Sequence, residues 1–169
     1  MAEFRINISN LSEGIHEYFF EAEPSKIGIN EQLCGLIKVE AKLDKSLRQI
    51  LLQSEIQAEG IFVCDRCLEN FCRKLDVTYS MVYIQGNMST VDLKKEEDIQ
   101  VLSADTNYID LDEDVRQCIL LAIPQKLLCR DDCNGLCPTC GVNKNTENCS
   151  CGTEAVDTRW DTLKKLSHS

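Results

Sequence analysis

Period-two alternation of apolar and polar residues dominates the first half of the chain. From Ile37 to Leu43, Ile37, Val39, Ala41 and Leu43 alternate with Lys38, Glu40 and Lys42. From Ile50 to Val63, Ile50, Leu52, Ile56, Ala58 and Phe62 share one parity, while Gln49, Gln53, Glu55, Gln57 and Glu59 take the other. A third stretch places Leu75, Val77, Tyr79, Met81 and Tyr83 on a single parity. Successive side chains of a strand point to opposite faces, so these stretches predict long, half-buried antiparallel strands. Asp44, Lys45 and Ser46 suit the turn between the first two. Phe4 to Ile8 and Tyr18 to Phe20 carry fainter strand signals.

The pattern changes after the third strand. Gly86, Asn87, Ser89 and Thr90 open a loop, and a mixed charge run occupies 94–98, so residues 86–109 are expected to form a solvated, mobile connection. A helix is expected near 112–122. Asp110 or Asp112 is positioned to cap it, and Asp112, Glu113 and Asp114 suit the positive end of its dipole. Val115, Cys118, Ile119 and Ala122 make its apolar stripe, and Pro124 limits it. A short terminal helix is expected from Thr158 to Leu166, with Val156, Trp160 and Leu163 along one side. The expected fold class is therefore α+β and mainly β: an antiparallel meander of long strands, one central helix and a cysteine-rich C-terminal segment. Residues 1–128 would form the β-rich core. Residues 129–169 would form a metal-binding segment packed on it.

Composition narrows the chemistry. The chain has 169 residues and a net charge of −10. An acidic chain is a poor non-specific binder of nucleic acid, which needs Lys and Arg against phosphates. Its field favours a protein partner, a basic one if any. No apolar run is long enough to span a membrane, and the N-terminus lacks the pattern of a secretory signal. A cytoplasmic location follows as the expectation. There thiols stay reduced, so eleven cysteines point to metal ligands rather than disulfides. The N-x-S triplets at Asn7, Asn87 and Asn148 are then chance matches.

Two groups of cysteines have ligand spacing. Cys64 and Cys67 form a C-x2-C at the connection between the two longest strand signals, as in a zinc knuckle. A C-x2-C redox pair normally opens a helix, whereas this one sits among antiparallel strands. Further along, Cys137-Pro138-Thr139-Cys140-Gly141 has the form of a zinc-ribbon knuckle, the glycine allowing the tight turn after the second ligand. Cys149 and Cys151 are its natural mates. Cys129 and Cys133 then remain to complete a second set of four with Cys64 and Cys67. Eight thiolates would hold two structural zinc ions, one local to the tail and one stapling the strand turn to the segment after the helix. One zinc alone, with Cys129 and Cys133 idle, and iron in place of zinc are the rival readings. Cys133, Cys137 and Cys140 also have a radical-enzyme iron–sulfur spacing, but too few residues follow for the barrel that chemistry needs. Cys118 reads as core. Cys34 is ambiguous. Cys72 reads as a buried thiol, with replacement of Cys133 as the alternative. His16 and His168 lie in no Cys-His or Ser-His setting, and no phosphate loop occurs. Closed thiolate sites are structural. The chain is not expected to be an enzyme.

Taken in order, the knuckle Cys64-Asp65-Arg66-Cys67-Leu68, the acidic helix leading into Leu121-Ala122-Ile123-Pro124, Cys129, Cys133, the run Asn134-Gly135-Leu136-Cys137-Pro138-Thr139-Cys140-Gly141, Cys149-x-Cys151 and Asp157-Thr158-Arg159-Trp160 resemble the YceD-like family of large ribosomal RNA subunit accumulation proteins. The resemblance covers nearly the whole chain. It implies a cytoplasmic, non-catalytic accessory factor for synthesis, processing or accumulation of large-subunit ribosomal RNA. The partner implied is a ribosomal protein or an assembly intermediate, and no membrane is involved. Direct RNA contact is left open: Arg66, Arg73, Lys74 and Arg130 would supply a small basic patch, against a reading as ordinary surface charge. The competing functional class is a redox or zinc-responsive regulator or adaptor using Cys64 and Cys67.

Overall fold

The computed structural model describes residues 3–29, 32–85, 99–103 and 105–151. Its body is a five-stranded sheet in the order β2-β3-β4-β5-β6. The strands are β2 (Gly14–Ala22), β3 (Leu33–Lys45), β4 (Gln49–Val63), β5 (Asn70–Gln85) and β6 (Ile99–Leu102). A separate two-stranded ribbon pairs β1 (Arg5–Asn7) with β7 (Tyr108–Asp110), and one helix follows, α1 (Asp112–Ala122). The protein is mainly β with a single α-helix among the described residues.

Parity becomes burial in this sheet. β4 reads exposed–buried along nearly its whole length, with Ile50, Leu52, Ile56, Ala58 and Phe62 inward. Ile37, Val39, Ala41 and Leu43 of β3 face the same side, as do Leu75 and Tyr83 of β5. Ser54 stands among the inward residues of β4 as a buried polar side chain whose hydroxyl has no partner among the described residues. α1 lies against β5 and β4. Its Val115 and Ile119 are buried, together with Phe4, Ile6 and Ile8 from the N-terminal segment.

Several expectations shift. The turn between β3 and β4 comes two residues later than Asp44 suggests, closed by the Ser46 amide donating to the Gln49 carbonyl at 2.9 Å. Residues 99–110 are not plain connection, since β6 and β7 lie within them. β6 also departs from a pure antiparallel meander by pairing parallel to β5, Val82 opposite Ile99 and Ile84 opposite Val101. Their β-branched side chains suit an edge position despite the neighbouring charge run. Asp112 does not cap α1. Its carboxylate instead accepts from the amides of Phe4 (2.7 Å) and Glu3 (3.0 and 3.1 Å), pinning the N-terminal segment to the helix start. Asp110 takes the turn role and accepts from the Asp112 amide at 3.1 Å. The expected helix from Thr158 to Leu166 and the charge run at 94–98 lie outside the described residues.

Candidate metal centres

β4 and β5 are joined by the knuckle. The chain leaves β4 at Val63, turns through Cys64 to Cys67 and re-enters the sheet at Asn70. The turn is held by the Leu68 amide donating to the Cys64 carbonyl and by the Cys64 amide donating to Glu69, both at 2.9 Å. After α1, Leu127 runs alongside this turn. The Asp65 amide donates to the Leu127 carbonyl (2.8 Å), and the Leu127 amide donates back to the Asp65 carboxylate (2.7 Å). Arg66 reaches across as well, its guanidinium donating to the carbonyls of Cys133 (2.9 Å) and Asp131 (3.3 Å). Gly135 closes the approach: it has φ +69°, and a Cβ there would stand 3.0 Å from the Arg66 carbonyl oxygen.

These contacts bring Cys129 and Cys133 to the knuckle. The sulfurs of Cys64, Cys67, Cys129 and Cys133 all lie within 4.8 Å of one another, and so do those of Cys137, Cys140, Cys149 and Cys151. In the first group, Cys64 Sγ is 3.8 Å from Cys133 Sγ, and Cys67 Sγ is 3.7 Å from Cys129 Sγ. Four thiolates placed tetrahedrally at the usual zinc–sulfur bond length stand about 3.8 Å apart. The first group therefore has the spacing of a tetrahedral thiolate site. The second is tighter, with Cys140 to Cys149 at 3.5 Å and Cys149 to Cys137 at 3.2 Å. Those separations are well beyond a disulfide bond, and all eleven cysteines are free.

The two groups sit in different surroundings. Cys64, Cys67 and Cys133 are buried and Cys129 half-buried, with Phe71 and Leu128 packed against them. In the second group only Cys137 is buried, and Cys140 is exposed. Its turn is closed by the Gly141 amide donating to the Cys137 carbonyl at 2.9 Å, with Gly141 at φ +75° in the left-handed region that glycine favours.

Electrostatics divide the thiols. Burial acts upward on Cys64, but backbone groups of Cys129, Cys67 and Arg66 outweigh it and bring the thiol down to about 6. On Cys133 burial is likewise outweighed, here by the Asn145 side chain and the Gly135 backbone, so its pKa falls below the usual thiol value. Burial and then the neighbouring thiols of Cys133, Cys67 and Cys64 push Cys129 up to about 12. In the second group, the Cys140 backbone, the Cys149 thiol and the Thr139 backbone lower Cys137 to about 6, while the Cys140 and Cys149 thiols raise Cys151 to about 12. Four like charges so close repel one another, and a divalent cation is the group that would let all four ionise together.

The remaining cysteines stand apart. Cys72 is exposed on β5 opposite Ile61, so it is neither the buried thiol expected nor a member of either group. Cys34 is half-buried on β3, and Cys118 is half-buried on α1 against the core. Sequence reasoning missed Asp65 and Asn145 as organisers of the first group. Of the expected basic patch, Arg66 is engaged as above. Arg130 donates to Asn145 Oδ1 at 2.7 Å and pairs with Asp132.

Fold and centres together define a class: a mainly β protein whose segment after the helix is drawn onto a strand turn by one four-cysteine group and carries another, each able to hold a metal ion. The chain belongs to the family of the large ribosomal RNA subunit accumulation protein YceD, whose model matches residues 52–167. Among curated proteins, it is 25% identical over 132 residues to uncharacterized proteins of Mycobacterium bovis and Mycobacterium tuberculosis, covering 78% of this chain and 62% of each relative. It is 23% identical over 107 residues to one of Mycobacterium leprae, covering 63% of this chain and 48% of the relative. The chain thus spans about three-fifths or less of the length of these relatives. No solved structure matches it.

Proposed function

We propose that this protein is a non-catalytic, cytoplasmic accessory factor for the synthesis, processing or accumulation of large-subunit ribosomal RNA, held together by two structural zinc ions. The observation that carries this reading is the family match over residues 52–167, which contains both four-cysteine groups. Cys64, Cys67, Cys129 and Cys133 would hold one ion, and Cys137, Cys140, Cys149 and Cys151 the other. Zinc with four thiolates supplies a cross-link and leaves no position open for a reacting water. Convergence of Cys64 and Cys67 with two distant cysteines favours this over a redox pair. No helix among the described residues is long and apolar enough to cross a membrane.

The net charge of −10 supports a basic ribosomal protein, or an assembly intermediate displaying one, as the direct partner. Contact with RNA would be local at most, since Arg66 and Arg130 are engaged within the protein.

Deleting the gene should deplete large-subunit ribosomal RNA and free large subunits in sedimentation profiles. Normal profiles in the deletion strain would sink the ribosomal role. Native mass spectrometry with elemental analysis should find two zinc ions per chain. Cys129→Ser should lose the same ion as Cys64→Ser and keep the ion at Cys137.

A further inference from the structure

Asn145 belongs to the loop closed by Cys140 and Cys149, yet its side chain serves the other centre. Its Nδ2 donates to Cys133 Sγ at 3.2 Å. Its Oδ1 accepts from the Asn134 amide at 2.8 Å and from the Arg130 guanidinium at 2.7 Å. One amide therefore orients a sulfur of the first group and ties down the chain on both sides of it. Asn145 is in turn held within its own loop. Its backbone amide and its Nδ2 both donate to Asn143 Oδ1, at 3.0 and 2.8 Å. That loop is fixed by the Cys137 amide donating to Val142, by the Lys144 amide donating to Gly135 and by the bridge between Leu136 and Asn143. Both ends of the loop are cysteines of the second group. The loop that carries Asn145 is thus framed by cysteines whose sulfurs lie within 4.8 Å of one another.

An N–H donor to a ligating sulfur stabilises its thiolate and fixes its direction, and loss of such partners weakens metal binding by roughly 10–100-fold. We propose that Asn145 is a positioning residue that couples the two centres: metal at Cys137, Cys140, Cys149 and Cys151 tightens the hold of Cys64, Cys67, Cys129 and Cys133 on theirs. The coupling rests on the zinc reading above. By linkage it is reciprocal, so the buried centre also steadies the exposed one. The exposed centre, with Cys140 at the surface, then governs the retention of the buried ion that staples the fold.

The test uses the full chain loaded with zinc, an excess of a chromogenic zinc chelator and native mass spectrometry for stoichiometry. Cys64→Ser carries only the second-group ion and, by the reciprocal coupling, should hold it more weakly than wild type does. Asn145→Ala should keep two ions but release the buried one about 10–100-fold faster than wild type. Cys149→Ser should keep one ion and show a similar acceleration. Adding Asn145→Ala to Cys149→Ser should accelerate release no further. Asn145→Asp keeps the oxygen that serves Asn134 and Arg130, but it removes the donor to both Cys133 and Asn143 and sets a carboxylate beside the sulfur. It should fold as wild type by circular dichroism and still release the buried ion faster. Wild-type release from Asn145→Ala, or accelerations that multiply in the double variant, would overturn the coupling alone. A wild-type chain carrying no zinc at the Cys64 group would overturn both the coupling and the zinc reading.

Discussion

Leu68 has φ +60°, the one positive value at a non-glycine residue among those described. Its amide closes the knuckle by donating to the Cys64 carbonyl at 2.9 Å, and its side chain is 64% exposed. The left-handed conformation costs a residue bearing Cβ about 1–2 kcal/mol, and little packing offsets it here. Leu68→Gly should therefore raise stability, by up to about 1 kcal/mol once the extra freedom of glycine in the unfolded chain is counted. Gly135 presents the opposite case. At φ +69° and with a new Cβ 3.0 Å from the Arg66 carbonyl, Gly135→Ala should lose about 2 kcal/mol or more. Chemical denaturation of the two variants beside wild type checks both, and shifts of the same sign would contradict this account of the turn. The glycine after Cys140 was legible in the sequence as a ribbon signature. Leu68 and Gly135 were not, because their conformations matter through hydrogen bonds and neighbours that form only when two segments meet.

At the scale of the element, α1 gathers three acids at its start with opposite consequences. The Arg116 guanidinium, donating to both carboxylate oxygens of Glu113 at 2.6 and 2.9 Å, and then Gln117, hold Glu113 down to about 2. Its contribution to stability is present above the ordinary carboxylate range and is lost as pH falls toward 2. Asp114 faces the sheet. Burial raises its pKa, the hydroxyl of Tyr79 donating at 2.9 Å opposes that rise, and the charges of Glu113 and Asp110 add to it. A raised carboxylate pKa means that folding disfavours the ionised form. Asp114 therefore supports the fold most below its ordinary range and less as pH climbs through its elevated value. Asp114→Asn, which keeps an oxygen for Tyr79, should gain stability relative to wild type at pH 7 and lose that advantage near pH 3. Thermal melts at the two pH values decide it, and an equal effect at both would refute it. The sequence placed this helix and its buried Val115 and Ile119. It assigned all three acids to the dipole, because a helical stripe does not reveal what the neighbouring sheet offers.

Across the whole molecule, the two centres close loops of different size. Cys64 and Cys133 are 69 residues apart and Cys67 and Cys129 are 62, whereas Cys137 and Cys149 are 12 apart and Cys140 and Cys149 are 9. Closing the longer loop removes more freedom from the unfolded chain, a difference of about 1.6 kcal/mol from loop-closure entropy. The first group also ties its loop to a strand turn whose two cysteines are buried. Cys64→Ser should therefore lower the unfolding midpoint of the zinc-loaded protein more than Cys140→Ser does. A strong chelator should bring wild type down to at least the level of Cys64→Ser. Denaturant titrations with and without chelator test this, and equal losses from the two serine variants would show that the long-range staple contributes nothing special.

The sequence alone determined the long strands, because alternation with period two is written residue by residue and each strand needs only one buried face. It also suggested which cysteines fall into fours, by local ligand spacing for Cys137, Cys140, Cys149 and Cys151 and by elimination for Cys129 and Cys133, whose meeting with Cys64 and Cys67 only the fold supplies. The tertiary structure decided what local pattern cannot encode. β6 and β7, with four and three residues, are too short to display a period, and pairing selects them. Asn145 is one asparagine in a polar turn until the fold sets it against Cys133. Asp65 and Leu127, 62 residues apart, become a two-way clasp only when α1 returns the chain to the knuckle. Contacts between segments far apart in the chain arise from packing, and packing is a property of the assembled fold.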